Sequence, residues 1–199
     1  MFSQELISAL QNRQTINDEL FDQFLPQEYH SLSNRHFTSI HIAQTAAEFL
    51  CDQQNPEILD IGSGIGKFCL VGAMGYSGNF TGIEYRKQLH EIASALQEKL
   101  QIKNIIFKHR NIINESFESY NGFYMFNPFL EQKDDSAKIN ADFNFQGDVN
   151  YTEFVISELN DKTHGTRLVT YYISDKDIPT SFSLVKSLNG GKLKCFIKK

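Results

Sequence analysis

The chain has 199 residues, 41 % hydrophobic and 22 % charged, which suits one globular domain with a substantial core. Its net charge of −5 gives no basic footprint for general binding to nucleic acid or acidic membranes. No apolar run approaches the roughly 20 residues that span a bilayer, and the start MFSQELISALQNRQ lacks the pattern of a secretory leader.

Cys51, Cys69 and Cys195 are isolated, with no CxxC pair and no histidine at zinc spacing. They read as free thiols in a reducing cytoplasm, and no metal site is expected. The first 50 residues look helical and are expected to pack on and cap a core of residues 51–199, in a single domain overall. Within them, Thr38 to Leu50 places Ile42, Ala46 and Phe49 or Leu50 along one face.

Pro56 interrupts, and Glu57 to Ile61 (EILDI) reads as a short strand running into DIGSGIG. Lys67 to Met74 reads as a helix, ended by turn residues between Gly75 and Gly78. Phe80 to Glu84 (FTGIE) is a second strand, followed by a helix over Arg86 to Gln101 with Leu89, Ile92, Ala93, Leu96 and Leu100 on one stripe. Asn104 to Lys108 is a third strand, and Phe123 to Phe126 (FYMF) a buried fourth. The fourth should stop near Asn127, because Pro128 has no amide to donate and biases the preceding residue towards extended conformations. Strands alternating with amphipathic helices predict an α/β fold with a parallel sheet and crossover helices.

Residues 131–150 are polar and weakly periodic, a length that marks a lid, a binding loop or disorder. Asn150 has the character of a helix N-cap, with Glu153 placed to close a capping box, and this helix is expected to end near Gly165. Arg167 to Tyr172 is a fifth strand. Asn189-Gly190-Gly191, between two apolar-rich runs, predicts a terminal antiparallel hairpin.

Glycines at 62, 64 and 66 follow the first strand, but Lys67 stands where the dinucleotide fingerprint needs its last glycine. That argues against a nicotinamide- or flavin-dependent oxidoreductase. Glu84, at the end of the next strand, is placed to accept hydrogen bonds from ribose hydroxyls. Asp60 adds a second carboxylate at the same edge. Two carboxylates suit a ligand with an ammonium group and a ribose, and suit a pyrophosphate poorly.

EILDIGSGIGKF followed by FTGIEY resembles the first two motifs of the class I S-adenosylmethionine-dependent methyltransferases, and the resemblance extends from about Thr38 to the end. It implies a Rossmann-like, mainly parallel seven-stranded sheet with helices on both faces and a C-terminal antiparallel hairpin. The implied cofactor is S-adenosylmethionine, with S-adenosylhomocysteine as product. By the resemblance, Gly62, Gly64 and Gly66 lie under the methionine moiety and Asp60 helps place it, directly or through water. Glu84 binds the ribose hydroxyls and Tyr85 packs against the adenine. Asn111 stands near where the family often carries an acid that contacts the adenine amino group; it makes that contact or serves as a turn residue bonding its own backbone. His36-Phe37-Thr38 resembles a segment that closes over the methionine end.

The first and fourth strands flank the point where strand order reverses, so Asn127, Pro128 and Phe129 are expected beside the transferable methyl. An amide oxygen from Asn127, with the Pro128 carbonyl, can accept hydrogen bonds from an amine and aim its lone pair. Phe129 can cover the acceptor or offer a π face to a cation; the structural alternative is that it simply packs under a lid. Amino-group methyltransferases acting on adenine or glutamine carry two prolines here, and this chain has one; the stretch is also similar to the Asn-Asn-Phe strand end of seven-strand histone-lysine methyltransferases. Tyr29, His30, Arg35, His36, Tyr171 and Tyr172 are further polar groups within possible reach. Asp134, Asp135 and Asp142 form an acidic group in the long loop, able to attract a cationic substrate. The leading expectation is a cytoplasmic methyltransferase acting on a nitrogen nucleophile in a protein side chain or small molecule. The alternative is a non-catalytic S-adenosylmethionine-binding module that works through a protein partner.

Overall fold

In the computed structural model, which describes residues 4–129 and 149–199, the short apolar runs pair side by side into one seven-stranded sheet of order β3-β2-β1-β4-β5-β7-β6. The strands are β1 (Glu57–Ile61), β2 (Asn79–Glu84), β3 (Ile105–His109), β4 (Gly122–Phe126), β5 (Arg167–Tyr171), β6 (Phe182–Leu188) and β7 (Leu193–Lys198). The first five are parallel, and β7 runs antiparallel to both β5 and β6. Asn189, Gly190 and Gly191 all take positive φ between β6 and β7, the conformation that the turn chemistry predicts.

Helices α1 (Gln4–Gln11), α2 (Asp18–Asp22), α4 (Ile40–Cys51), α5 (Lys67–Gly75) and α6 (Lys87–Leu100) contribute to the core on one face of the sheet, with α3 (Ser33–His36) between α2 and α4. On the other face lie α7 (Tyr151–Asn160) and the connection from β3 to β4. Period-two alternation sorts β4 between the two cores: Phe123 and Met125 join the α7 side, while Tyr124 joins the α4 and α5 side. Phe123 is fully buried, which contributes roughly 1.5–3 kcal/mol relative to exposure.

Most helix and strand boundaries lie within one residue of expectation, and two departures have a visible cause. Helix α7 ends at Asn160 rather than near Gly165, and Lys162 just beyond turns its ammonium back onto the Phe117 and Glu118 carbonyls. β5 stops one residue early because Tyr172 takes φ +55. Asn150 caps α7 as expected, its side-chain oxygen accepting from the Glu153 amide at 3.2 Å. No helix among the described residues is long and apolar enough to cross a membrane.

Candidate active site

The crossovers leave β1 and β4 in opposite directions, which opens a crevice at the carboxyl ends of these two strands. The glycine loop crosses it. Gly62, Gly64 and Gly66 have φ of +75, +55 and +77. The Gly62 and Ser63 amides donate to the Ile83 carbonyl at 3.0 and 2.9 Å, anchoring the loop to β2. Glu84 completes the cradle: its carboxylate accepts from the Gly64 amide at 2.9 Å and the Arg86 amide at 2.7 Å.

At two positions glycine has a structural cause inside the protein. A Cβ on Gly62 would stand 2.7 Å from Pro128 Cβ, and one on Gly66 would stand 2.3 Å from the Phe107 ring. The loop is therefore squeezed by neighbours as well as open to a ligand. Ser63 Oγ is buried without a hydrogen-bond partner among the described residues, an unsatisfied polar atom on the crevice wall.

Asp60 faces the same side of the sheet as Tyr124, its register partner on β4. Burial pushes its carboxyl up to about 8; the Cys69 thiol, donating at 3.5 Å, opposes that shift and the Glu84 carboxylate adds to it. Tyr124 is also fully buried. Its hydroxyl meets Thr38 Oγ1 at 2.9 Å, its ring stacks on Phe68 at 4.0 Å, and desolvation raises its phenol well above the usual range. Thr38 thus lines the crevice itself and is tied there to a tyrosine hidden within an apolar run.

The fourth strand ends abruptly. Contrary to the extended backbone expected before Pro128, Asn127 has φ +38, a left-handed conformation that asparagine tolerates better than most residues. Pro128 then packs on Gly62, and Phe129 stacks on Tyr151 of α7 at 5.5 Å. Asn111 donates to the Tyr151 hydroxyl at 2.8 Å, while its amide oxygen accepts from the Ile113 amide at 3.3 Å. Asn111 thus makes the local turn that sequence allows, and its amino group supports the ring on which Phe129 lies. A small cavity beside this strand end is lined by Met125, Asn127, Pro128, Phe129, Thr152, Val155, Ile173 and Asp177.

The remaining candidates separate clearly. His36 lines the crevice beside Phe37 and Thr38. His30 is tied to the Leu25 carbonyl at 3.1 Å, and Tyr29 packs against Phe37 at 6.4 Å. Tyr85 follows β2, its carbonyl meeting His109 Nε2 at 2.9 Å. Tyr171 and Tyr172 cluster with Phe126 at centroid distances of 4.8 and 6.0 Å. The side chain of Arg35 and residues 131–148 with Asp134, Asp135 and Asp142 lie outside the described residues. Sequence reading missed Tyr124, Tyr151 and Asp177; alternation within FYMF was the available signal for Tyr124.

The profile of the family described as protein-L-isoaspartate(D-aspartate) O-methyltransferase matches residues 4–129. The chain belongs to that family. It is an S-adenosylmethionine-dependent methyltransferase, and the reading as a non-catalytic module is not favoured. The Asp60 carboxyl, the unsatisfied Ser63 hydroxyl and the Glu84 carboxylate fit this cofactor's ammonium and hydroxyl groups chemically. Among solved structures, an RNA methyltransferase from Salinibacter ruber bound to S-adenosyl-L-homocysteine superposes with TM-score 0.57 at 14 % identity, over 79 % of this methyltransferase and 90 % of that chain. TrmN from Thermus thermophilus superposes with TM-score 0.58 at 15 % identity, over 89 % and 52 %. An S-adenosylmethionine-dependent O-methyltransferase from Thermotoga maritima gives 0.54 at 15 % identity, over 88 % and 72 %. These likenesses establish the class I fold. No curated protein sequence matches the chain.

Proposed function

We propose that this methyltransferase acts on a nitrogen nucleophile in a protein side chain or small molecule, held beside the end of β4. The observation that carries the reading is the cavity at Asn127 and Phe129, where the charged residue among those described is an acid, Asp177. An acid attracts a cationic amine and repels a carboxylate. Asn127 accepts the acceptor's N–H through its amide oxygen and aims the lone pair, with Pro128 fixing the turn. Phe129 covers the acceptor. The amine's surplus proton leaves to water, so no general base is assigned.

When bound, the cofactor supplies an electrophilic methyl group on a sulfonium. Asp60 and Thr38 place its methionine end over Gly62, Gly64 and Gly66; Glu84 binds the ribose; Tyr85 and Asn111 border the adenine. Residues 1–50 cap this core of 51–199. The free thiols of Cys51, Cys69 and Cys195 support a reducing compartment, the cytoplasm.

The family description favours a second reading, methyl transfer to a carboxylate oxygen in a protein. The match ends at residue 129, however, and Val155, Ile173 and Asp177 of the acceptor cavity lie beyond it. Methyl-labelled S-adenosylmethionine added with the enzyme to a cell extract separates the two. Amine products keep their label in mild alkali, whereas methyl esters release volatile methanol. Base-stable label that disappears with Asn127→Ala is the expected result. Base-labile label in protein would overturn the nitrogen reading.

A further inference from the structure

Lys67 follows the glycine loop and opens α5, yet it is only 2 % exposed. A buried ammonium must be paired, and its partners come from the N-terminal region: Asp18 at 2.6 Å and Asp22 at 2.9 Å, both on α2. Phe21, fully buried between them in sequence, lies under the ammonium with its ring centroid 5.0 Å away. Asp18 has a second duty. The oxygen that pairs with Lys67 also accepts from the Ile40 amide at 2.9 Å, at the first turn of α4.

These three positions bracket the crevice. Ile40 lies two residues after the wall formed by His36, Phe37 and Thr38, and Lys67 lines the crevice immediately after the glycine loop. We infer that α2 is a clasp on the cofactor pocket: Asp18 ties the two walls together, Lys67 and Asp18 are positioning residues for S-adenosylmethionine, and cofactor binding and the order of α2 are coupled. The inference rests on the crevice being the cofactor pocket. Removing Lys67 leaves two like charges side by side, and removing one aspartate leaves the buried ammonium with a single carboxylate, so each loss weakens the clasp and the loss of Asp18 also frees the Ile40 amide. Linkage makes the coupling reciprocal: whatever α2 adds to cofactor affinity, the cofactor returns as order in α2.

Hydrogen exchange at the amides of residues 18–24, in the wild-type protein with and without saturating S-adenosylmethionine, tests this directly. Exchange is expected to slow by about 5-fold or more, within the usual range of coupling between sites. Lys67→Arg should keep the effect. Asp18→Asn should lose it and raise KM for the cofactor about 10-fold with kcat within about 2-fold, while Asp22→Asn, which spares the Ile40 contact, should raise KM about 2- to 3-fold. Cofactor binding by calorimetry with unchanged exchange in α2 overturns the clasp alone. No calorimetric binding overturns the assignment of the crevice and the clasp with it. The wild-type exchange result decides even if Asp18→Asn does not fold.

Discussion

The two sides of the proposed active site, a cofactor lip at the glycine-loop crevice and an acceptor lip at the separate cavity beyond β4, are built in opposite ways. On the cofactor lip, backbone amides of the glycine loop already satisfy Glu84 and β2, so the cradle is held by bonds close in sequence or between paired strands. On the acceptor lip, Asn127, Phe129, Tyr151 and Asp177 come from three separate stretches, joined by ring contacts and a left-handed strand end. A ligand that never changes can be met by fixed backbone, whereas a lip assembled from side chains can be altered without touching the cradle.

That contrast breaks or sharpens under substitution. The largest effect is expected at Asn127→Ala: on the order of 100-fold lower kcat, with cofactor affinity within about 3-fold in calorimetry, since orientation alone supplies that much rate. A parallel loss of cofactor binding would erase the distinction between the lips. Glu84→Ala should do the reverse, weakening S-adenosylmethionine on the order of 30- to 100-fold by removing a charged acceptor that two amides also need. Gly62→Ala meets Pro128 at 2.7 Å in a positive-φ position, so a stability loss of about 2–3 kcal/mol is expected from urea unfolding.

The Asp60 carboxyl gives a smaller, pH-dependent effect. With its carboxyl pushed up to about 8 by burial, Asp60 is mostly protonated at pH 7 in the free protein. An ammonium placed beside it favours the carboxylate, so cofactor binding should release a proton. Affinity should rise by up to about 10-fold per pH unit from pH 6 and level off near pH 8. Calorimetry in two buffers of different ionisation heat measures the proton directly, and Asp60→Asn should abolish its release. The same raised carboxyl holds its proton more tightly folded than unfolded, so its contribution favours the folded state at low pH and is lost as pH rises towards 8. Thr38→Val is expected to have the smallest effect, about 1–2 kcal/mol in thermal unfolding, from leaving the Tyr124 hydroxyl without its 2.9 Å partner.

The difference between the lips also explains what sequence could tell. The strand pattern, the glycine loop, Glu84 and the Asn189-Gly190-Gly191 hairpin were legible because each is a local constraint: period, positive φ, or a fixed offset from a strand end. Lys67 was visible only as a missing glycine. Its partners Asp18 and Asp22 sit 45 or more residues upstream, in a segment whose helices carry no motif. Tyr124 hid in FYMF because its hydroxyl requires knowing which face of β4 meets α4. Asp177 reaches the acceptor cavity from beyond β5, a juxtaposition that only the sheet order creates.

The packing of Pro128 on Gly62 has a consequence for how such an enzyme can diverge. A residue that lines the strand-end cavity and also packs on the glycine loop is constrained from two sides at once, so drift at position 128 should be penalised whichever acceptor is selected. Positions 127, 129, 155, 173 and 177 line that cavity and not the glycine-loop crevice. New acceptor preferences should therefore arise by exchange at those positions around an unchanged proline, leaving the cofactor's seat intact as the lineage branches.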